Sequence, residues 1–196
     1  MAMLALARQF PGCPILFMDA DTFAVAPLAA LLERVGRGAV MYEREYNVAA
    51  RQSPMMVRFR RNLARARHRG QPIDLDVDMW NSGVVGLGPE LTPIIEPWIE
   101  FLDEVYPSTR RWVLEQFALA YLLQKRGTPI SAADDLAVHY WDDKPGRLAA
   151  IRGQLEATKG LPLEDLLEHV RTHSLRAPRP AARVRSVNLF QRFFGW

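Results

Sequence analysis

The sequence predicts an α/β fold, and three observations carry that prediction. ILFMD (15–19) and GAVMYE (38–43) are largely apolar runs closed by an acid, the pattern of strands covered by helices. Between them LAALLERVG (28–36) has helix-forming composition, opened by Pro27 at a position suited to a first helical turn and stopped by Gly36. Strand, helix and strand in alternation describe a sheet with helices packed against it.

The remaining elements follow in chain order. AMLALARQF (2–10) composes as a short helix that Pro11, Gly12 and Pro14 interrupt. ILFMD follows as a strand buried on both faces, which puts Asp19 at its carboxyl end. Pro54 opens a strongly basic helix expected to run to Gly70, and QPIDLDVD (71–78) is a polar, acidic connection into a strand over Gly83–Leu87. Two helices are expected next, over 90–106 and 110–127. The second carries Val113, Phe117, Ala120, Tyr121 and Gln124 along one face and ends at Gly127. TPIS (128–131) and LAVHYW (136–141) are short strands, and two more helices cover 146–160 and 162–173. Beyond them RAPRPAARVR is a proline-broken linker, so the chain reads as one domain over 1–175 followed by a basic, aromatic tail over 176–196.

Composition narrows the class. An apolar fraction of 49% and a charged fraction of 24% are those of a globular domain, and no apolar run reaches the roughly 20 residues of a membrane span. The opening residues lack a basic segment followed by a long apolar one, so a cytoplasmic location is the expectation. The single cysteine, Cys13, has no partner for an internal disulfide and no metal-ligand spacing around it. A net charge of +3 without an aromatic-interleaved basic strand argues against nucleic acid. The tail combines arginines with Phe190, Phe193, Phe194 and Trp196, a pattern shared by a peripheral anchor on an anionic membrane and by a helix packed on the domain.

Asp19-Ala20-Asp21 concentrates the chemistry. Two carboxylates separated by one residue, just past a strand, can face the crevice where open α/β sheets bind ligands. They suit a hard divalent cation, although the same residues cap turns in many proteins. In context, ILFMDADTF resembles the Asp-x-Asp element of GT-A nucleotide-sugar glycosyltransferases. MWNSGVVGL (79–87) resembles the Asn-Ser-Gly segment that follows it in glycosyltransferase family 8 and its relatives. LEQFALAYLL, with Glu115 and Gln116, is similar to the polar pair those enzymes place at a helix start, and VHYWDDKP is similar to their His-aromatic segment ending in Lys-Pro. The four matches stand in the family's order and span 15–145.

The resemblance implies a GT-A fold, N-terminally truncated because the family's opening β-α-β segment has no counterpart before the Asp-x-Asp strand. It implies Asp19, Asp21 and His139 as ligands of Mn²⁺, or of Mg²⁺, with Asp19 also touching the nucleotide ribose beside Ala20. Lys144 would meet the diphosphate, Asn81 and Ser82 sugar hydroxyls, and Gly83 would allow close backbone approach. Gln116 would lie near the anomeric carbon with Glu115 orienting the sugar. The implied partners are a UDP-hexose donor and a glycan, lipid-linked or protein acceptor, and the implied transfer retains anomeric configuration. An inverting reaction would draw its base from Glu115.

Each residue also has an ordinary structural role: His139 as a hydrogen-bonded core histidine, Lys144 as a surface lysine, Asn81-Ser82-Gly83 as a turn, Glu115 as a first-turn acid. Trp80, Trp112 and Trp141 could stack on a sugar, with the core the preferred place for Trp112. Two other readings stand beside the transferase. One is a catalytically degenerate sugar-nucleotide-binding remnant. The other is a haloacid-dehalogenase-like phosphatase, whose later motifs Lys125 and Asp134-Asp135 would echo.

Overall fold

A computed structural model describes residues 2–141 and 144–172, without the side chains of residues 144, 147, 170 and 171. The chain divides into a first unit, Met1–His139, and a second beginning at Tyr140. In the first unit α1 (Ala2–Gln9) leads to β1 (Ile15–Met18) and, through a turn at Asp19–Asp21, to β2 (Thr22–Ala24). After α2 (Leu28–Gly36) come β3 (Ala39–Met41), β4 (Arg44–Asn47) and α3 (Pro54–Arg65). The strands β5 (Arg67–His68), β6 (Gln71–Pro72), β7 (Asp78–Trp80) and β8 (Val84–Leu87) precede a 3-10 turn over Pro89–Ile94. Helices α4 (Ile95–Thr109) and α5 (Leu114–Lys125) and strands β9 (Ile130–Ala132) and β10 (Ala137–His139) complete it. The second unit contains α6 (Lys144–Thr158) and α7 (Leu163–Thr172), linked by a hydrogen bond between His169 Nε2 and Gln154 Oε1.

The fold is mixed α/β. Its main sheet has four strands in the order β1-β8-β3-β9, with β8 antiparallel to β1 and β3, and β9 parallel to β3. All four residues of β8 and all three of β3 are buried, as expected of strands inside a sheet that helices cover. By contrast β1 stands at one end of the strand order, and Phe17 is 37% exposed. The expectation of burial on both faces therefore fails for β1: an apolar run reports composition but not position in the sheet. Three two-stranded pairs, β2 with β10, β4 with β7 and β5 with β6, attach to this frame. Of these, β2 is too short and β4 too polar to stand out in the sequence.

The core gathers where α3, α4 and α5 meet. Phe59, Phe101 and Phe117 are fully buried, with ring centroids 5.7 Å apart for Phe59 and Phe117 and 6.1 Å for Phe101 and Phe117. Burying each such ring stabilises the fold by about 1.5–3 kcal/mol. Helix α5 is buried at Leu114, at every position from Gln116 to Ala120, and at Leu123. It is enclosed on several sides rather than presenting the single apolar face expected, because it packs on α4 and on β7.

Two boundaries also differ from expectation. The basic helix α3 stops at Arg65, and Arg69 and Gly70, both at positive φ (51° and 75°), form the two-residue turn of a β5–β6 hairpin. Gly70 thus closes a hairpin, not the helix. Trp112, expected in the core, is 64% exposed. It lies in the turn between α4 and α5, whose apolar anchors are Val113 and Leu114. No helix among the described residues is long and apolar enough to cross a membrane. The tail 176–196 and the Lys144 side chain, with the roles expected of them, lie outside the described residues.

Candidate metal centre

The ends of β1 and β8 and the β2–β10 pair bring three segments to one place. At the end of β1 the Asp19 amide donates to the Gly83 carbonyl at 3.0 Å, and the Thr22 hydroxyl donates to the same oxygen at 3.0 Å. The Thr22 amide donates to Asp19 O at 2.9 Å, closing the turn that presents both acids. Register then places His139 opposite Thr22, one residue beyond Asp21. Donor atoms of Asp19, Asp21 and His139 lie within 4.8 Å of one another. His139 Nε2 is 3.1 Å from Asp21 Oδ1 and 3.9 Å from Asp19 Oδ2. Side-chain exposure rises from 8% at His139 through 20% at Asp21 to 40% at Asp19, so the cluster is closed behind the imidazole and open at Asp19.

The hydrogen bonds around His139 place a proton on Nδ1. Asn81 Nδ2 donates to Glu45 Oε1 at 3.2 Å, so Asn81 Oδ1 is the acceptor side of that amide. That oxygen receives the Gly83 amide at 2.9 Å and contacts His139 Nδ1 at 2.8 Å. Nδ1 must therefore carry a proton. Nε2 faces the carboxylates within hydrogen-bond reach of Asp21, and it is the nitrogen that would turn its lone pair to a cation held there. Gly83 is required by the same packing: a Cβ there would fall 2.1 Å from His139 Nδ1. The Tyr42 ring meets the imidazole edge-on, with centroids 5.5 Å apart.

Glu45, on β4, extends the network and was not singled out in the sequence. Its second oxygen accepts from Gln116 Nε2 at 3.2 Å, so one carboxylate holds both buried amides, Asn81 (4% exposed) and Gln116 (5%). Gln116 thereby connects to His139 through Glu45 and Asn81. Glu115 is exposed as a residue, yet its carboxyl is raised above the ordinary glutamate range, first by desolvation and then by the charge of Asp19. Ser82 is half-buried between Asn81 and Gly83, and Ala20 is exposed between the two acids.

Other residues singled out in the sequence are engaged elsewhere. Lys125 pairs with Asp74, and Asp135 pairs with Arg34 at 2.6 and 2.8 Å, so two of the residues that would echo a dehalogenase-like phosphatase bond to partners outside the cluster. No protein-family model, curated protein or solved structure matches the chain. The donor set must therefore speak for itself. Two carboxylates and one imidazole, open on one side, suit a divalent cation such as Mn²⁺ or Mg²⁺ that keeps positions for oxygen ligands from a bound molecule.

Proposed function

We propose that the chain is a metal-dependent glycosyltransferase of the GT-A type, most like family 8, moving a hexose from a UDP-sugar to an acceptor hydroxyl. The observation that supports it is the junction of the Asp-x-Asp turn, Asn81-Ser82-Gly83 and His139 in one cluster, with the imidazole anchored through Nδ1 on Asn81. Segments that resemble the family's motifs separately also share one site. We propose a cytoplasmic location on the same footing.

In this reading Asp19, Asp21 and His139 would hold Mn²⁺ or Mg²⁺, which when bound neutralises negative charge on a departing diphosphate. Asp19, the most exposed of the three, is the side from which a nucleotide diphosphate would approach. Asn81 fixes the imidazole and so cannot spend its Oδ1 on a sugar hydroxyl. Ser82 is left as the hydroxyl of that segment available to the donor. Gln116, held by Glu45, would orient the sugar, and Glu115 would keep a carboxyl near its hydroxyls. Positioning of this kind suits a retaining transfer, in which the leaving diphosphate takes the acceptor proton and no strong protein base is needed.

The test is calorimetric titration of the full chain with UDP in the presence and absence of Mn²⁺, followed by a mass-spectrometric screen for donor-sugar consumption. UDP heat that needs Mn²⁺ and disappears in Asp21→Asn is expected. A folded protein that takes up neither Mn²⁺ nor UDP removes the proposal, as does phosphomonoesterase activity abolished by Asp19→Asn.

A further inference from the structure

The turn joining α4 to α5 forms a concavity lined by Trp112, Tyr106 and Glu115. Arg110 ends α4 in the left-handed region at φ 47°, its amide donating to Tyr106 O at 2.7 Å. The chain passes through Arg111 and Trp112, then returns to the core at Val113 and Leu114, which are 2% and 1% exposed. Trp112 and Tyr106 are left 64% and 52% exposed. Both line a cavity of about 340 Å³ completed by Asp103, Arg111, Leu114 and Glu115, within the span of about 300–1,000 Å³ usual for small-molecule sites.

The exposure of Trp112 is not a product of a loose turn. The Leu114 amide donates to Arg111 O at 3.1 Å and the Glu115 amide to Trp112 O at 3.3 Å, and the two residues after the indole are core anchors. An open indole and an open phenol on a pinned backbone present apolar ring faces to the solvent. Around them stand two carboxylates, Asp103 and Glu115, and one guanidinium, Arg111. That balance disfavours an anion and offers acceptors and donors to hydroxyl groups. A pyranose has the matching surface: a C–H face for an aromatic ring and an equatorial belt of hydroxyls for the charged groups.

The first turn of α5 links the concavity to the residues that support the metal centre. Glu115 lines the concavity, and the adjacent Gln116 reaches Glu45 and, through it, Asn81 and His139. We infer that this concavity binds a neutral saccharide, with Trp112 as the stacking platform and Asp103 and Arg111 as hydroxyl partners. Its assignment as the acceptor subsite rests on the transferase reading above. Saccharide binding itself does not, because none of Asp19, Asp21 and His139 lines it.

The test probes a glycan array of neutral mono- and oligosaccharides with the labelled full chain in EDTA. Retention on neutral glycans is expected, weakened about tenfold or more by Trp112→Ala, largely kept by Trp112→Phe, and unchanged by Asp21→Asn. Absence of any retained neutral glycan, or equal retention by Trp112→Ala, overturns the inference. A UDP and Mn²⁺ titration on the same preparation separates the two proposals. Manganese-dependent UDP heat without glycan retention overturns only this one, and glycan retention without nucleotide or metal uptake overturns only the transferase.

Discussion

His139 Nδ1 lies 2.8 Å from Asn81 Oδ1, an oxygen that also takes the Gly83 amide at 2.9 Å. Removing that acceptor frees the imidazole to rotate and to exchange tautomers. Asn81→Ala is therefore expected to weaken Mn²⁺ binding by about 10- to 100-fold. Calorimetric titration measures it, with circular dichroism showing that the variant is folded. Unchanged affinity in a folded variant would mean that Asn81 does not orient the ring.

Gly83→Ala sets a methyl against the same imidazole, 2.1 Å from Nδ1. Overpacking of this kind costs about 1–3 kcal/mol. The three atoms nearest that methyl all belong to His139, so His139→Ala should relieve the clash. A double-mutant cycle in urea is expected to return a coupling within about 0.5–3 kcal/mol, and strict additivity would show that residue 83 acts on something other than the ring.

Glu45 accepts one hydrogen bond from each of two buried amides, Asn81 and Gln116. Glu45→Gln keeps one acceptor oxygen but turns an amino group toward the other donor. A loss of about 1–3 kcal/mol in urea unfolding is expected. Weaker Mn²⁺ binding should accompany it, since Asn81 loses its anchor. Retained stability together with retained affinity would remove Glu45 from the network.

At the β5–β6 hairpin the Arg69 amide donates to Glu104 at 2.9 and 3.1 Å, and His68 Nδ1 lies 2.9 Å from the same carboxyl. The Arg69 amide first, against some desolvation, and then His68 hold the Glu104 carboxyl below the ordinary glutamate range. A depressed carboxyl stabilises the fold above its unfolded value, and that contribution fades as pH falls through the folded one. Urea midpoints should decline on acidification through this window more steeply in the wild type than in Glu104→Gln. Parallel profiles would exclude the hairpin contact as a source of acid sensitivity.

Much of this arrangement was legible before the fold was seen. Runs such as GAVMYE and VVGL announce buried strands because strands enclosed by helices need apolar residues on both faces. Asp19 and Asp21 stood out because two acids one residue apart at a strand's end can face one crevice, and His139 because its segment resembles the family's His-aromatic motif. Glu45 did not, because REYN reads as a polar surface segment until β4 is paired with β7. Trp112 was misread because a large aromatic ring carries no sign of which way its turn faces. Enclosure of α5 on several sides is likewise a property of its neighbours α4 and β7, which no periodicity within α5 encodes.

Asp21 and His139 are 118 positions apart in the chain, yet they share one cluster across the β2–β10 pair. Closing that loop carries an entropic cost, which the β3–β9 pairing lowers by bringing residues 39–41 and 130–132 together first in the chain's path to β10. A cation bound there would engage the finished fold and not its precursors. It would raise the unfolding temperature by mass action, by the equivalent of about 2.7 kcal/mol at a hundredfold excess over its dissociation constant. A polypeptide arrested before β10 docks would present two of the three ligands and would hold such an ion weakly, so ion affinity would report on whether β10 is in place.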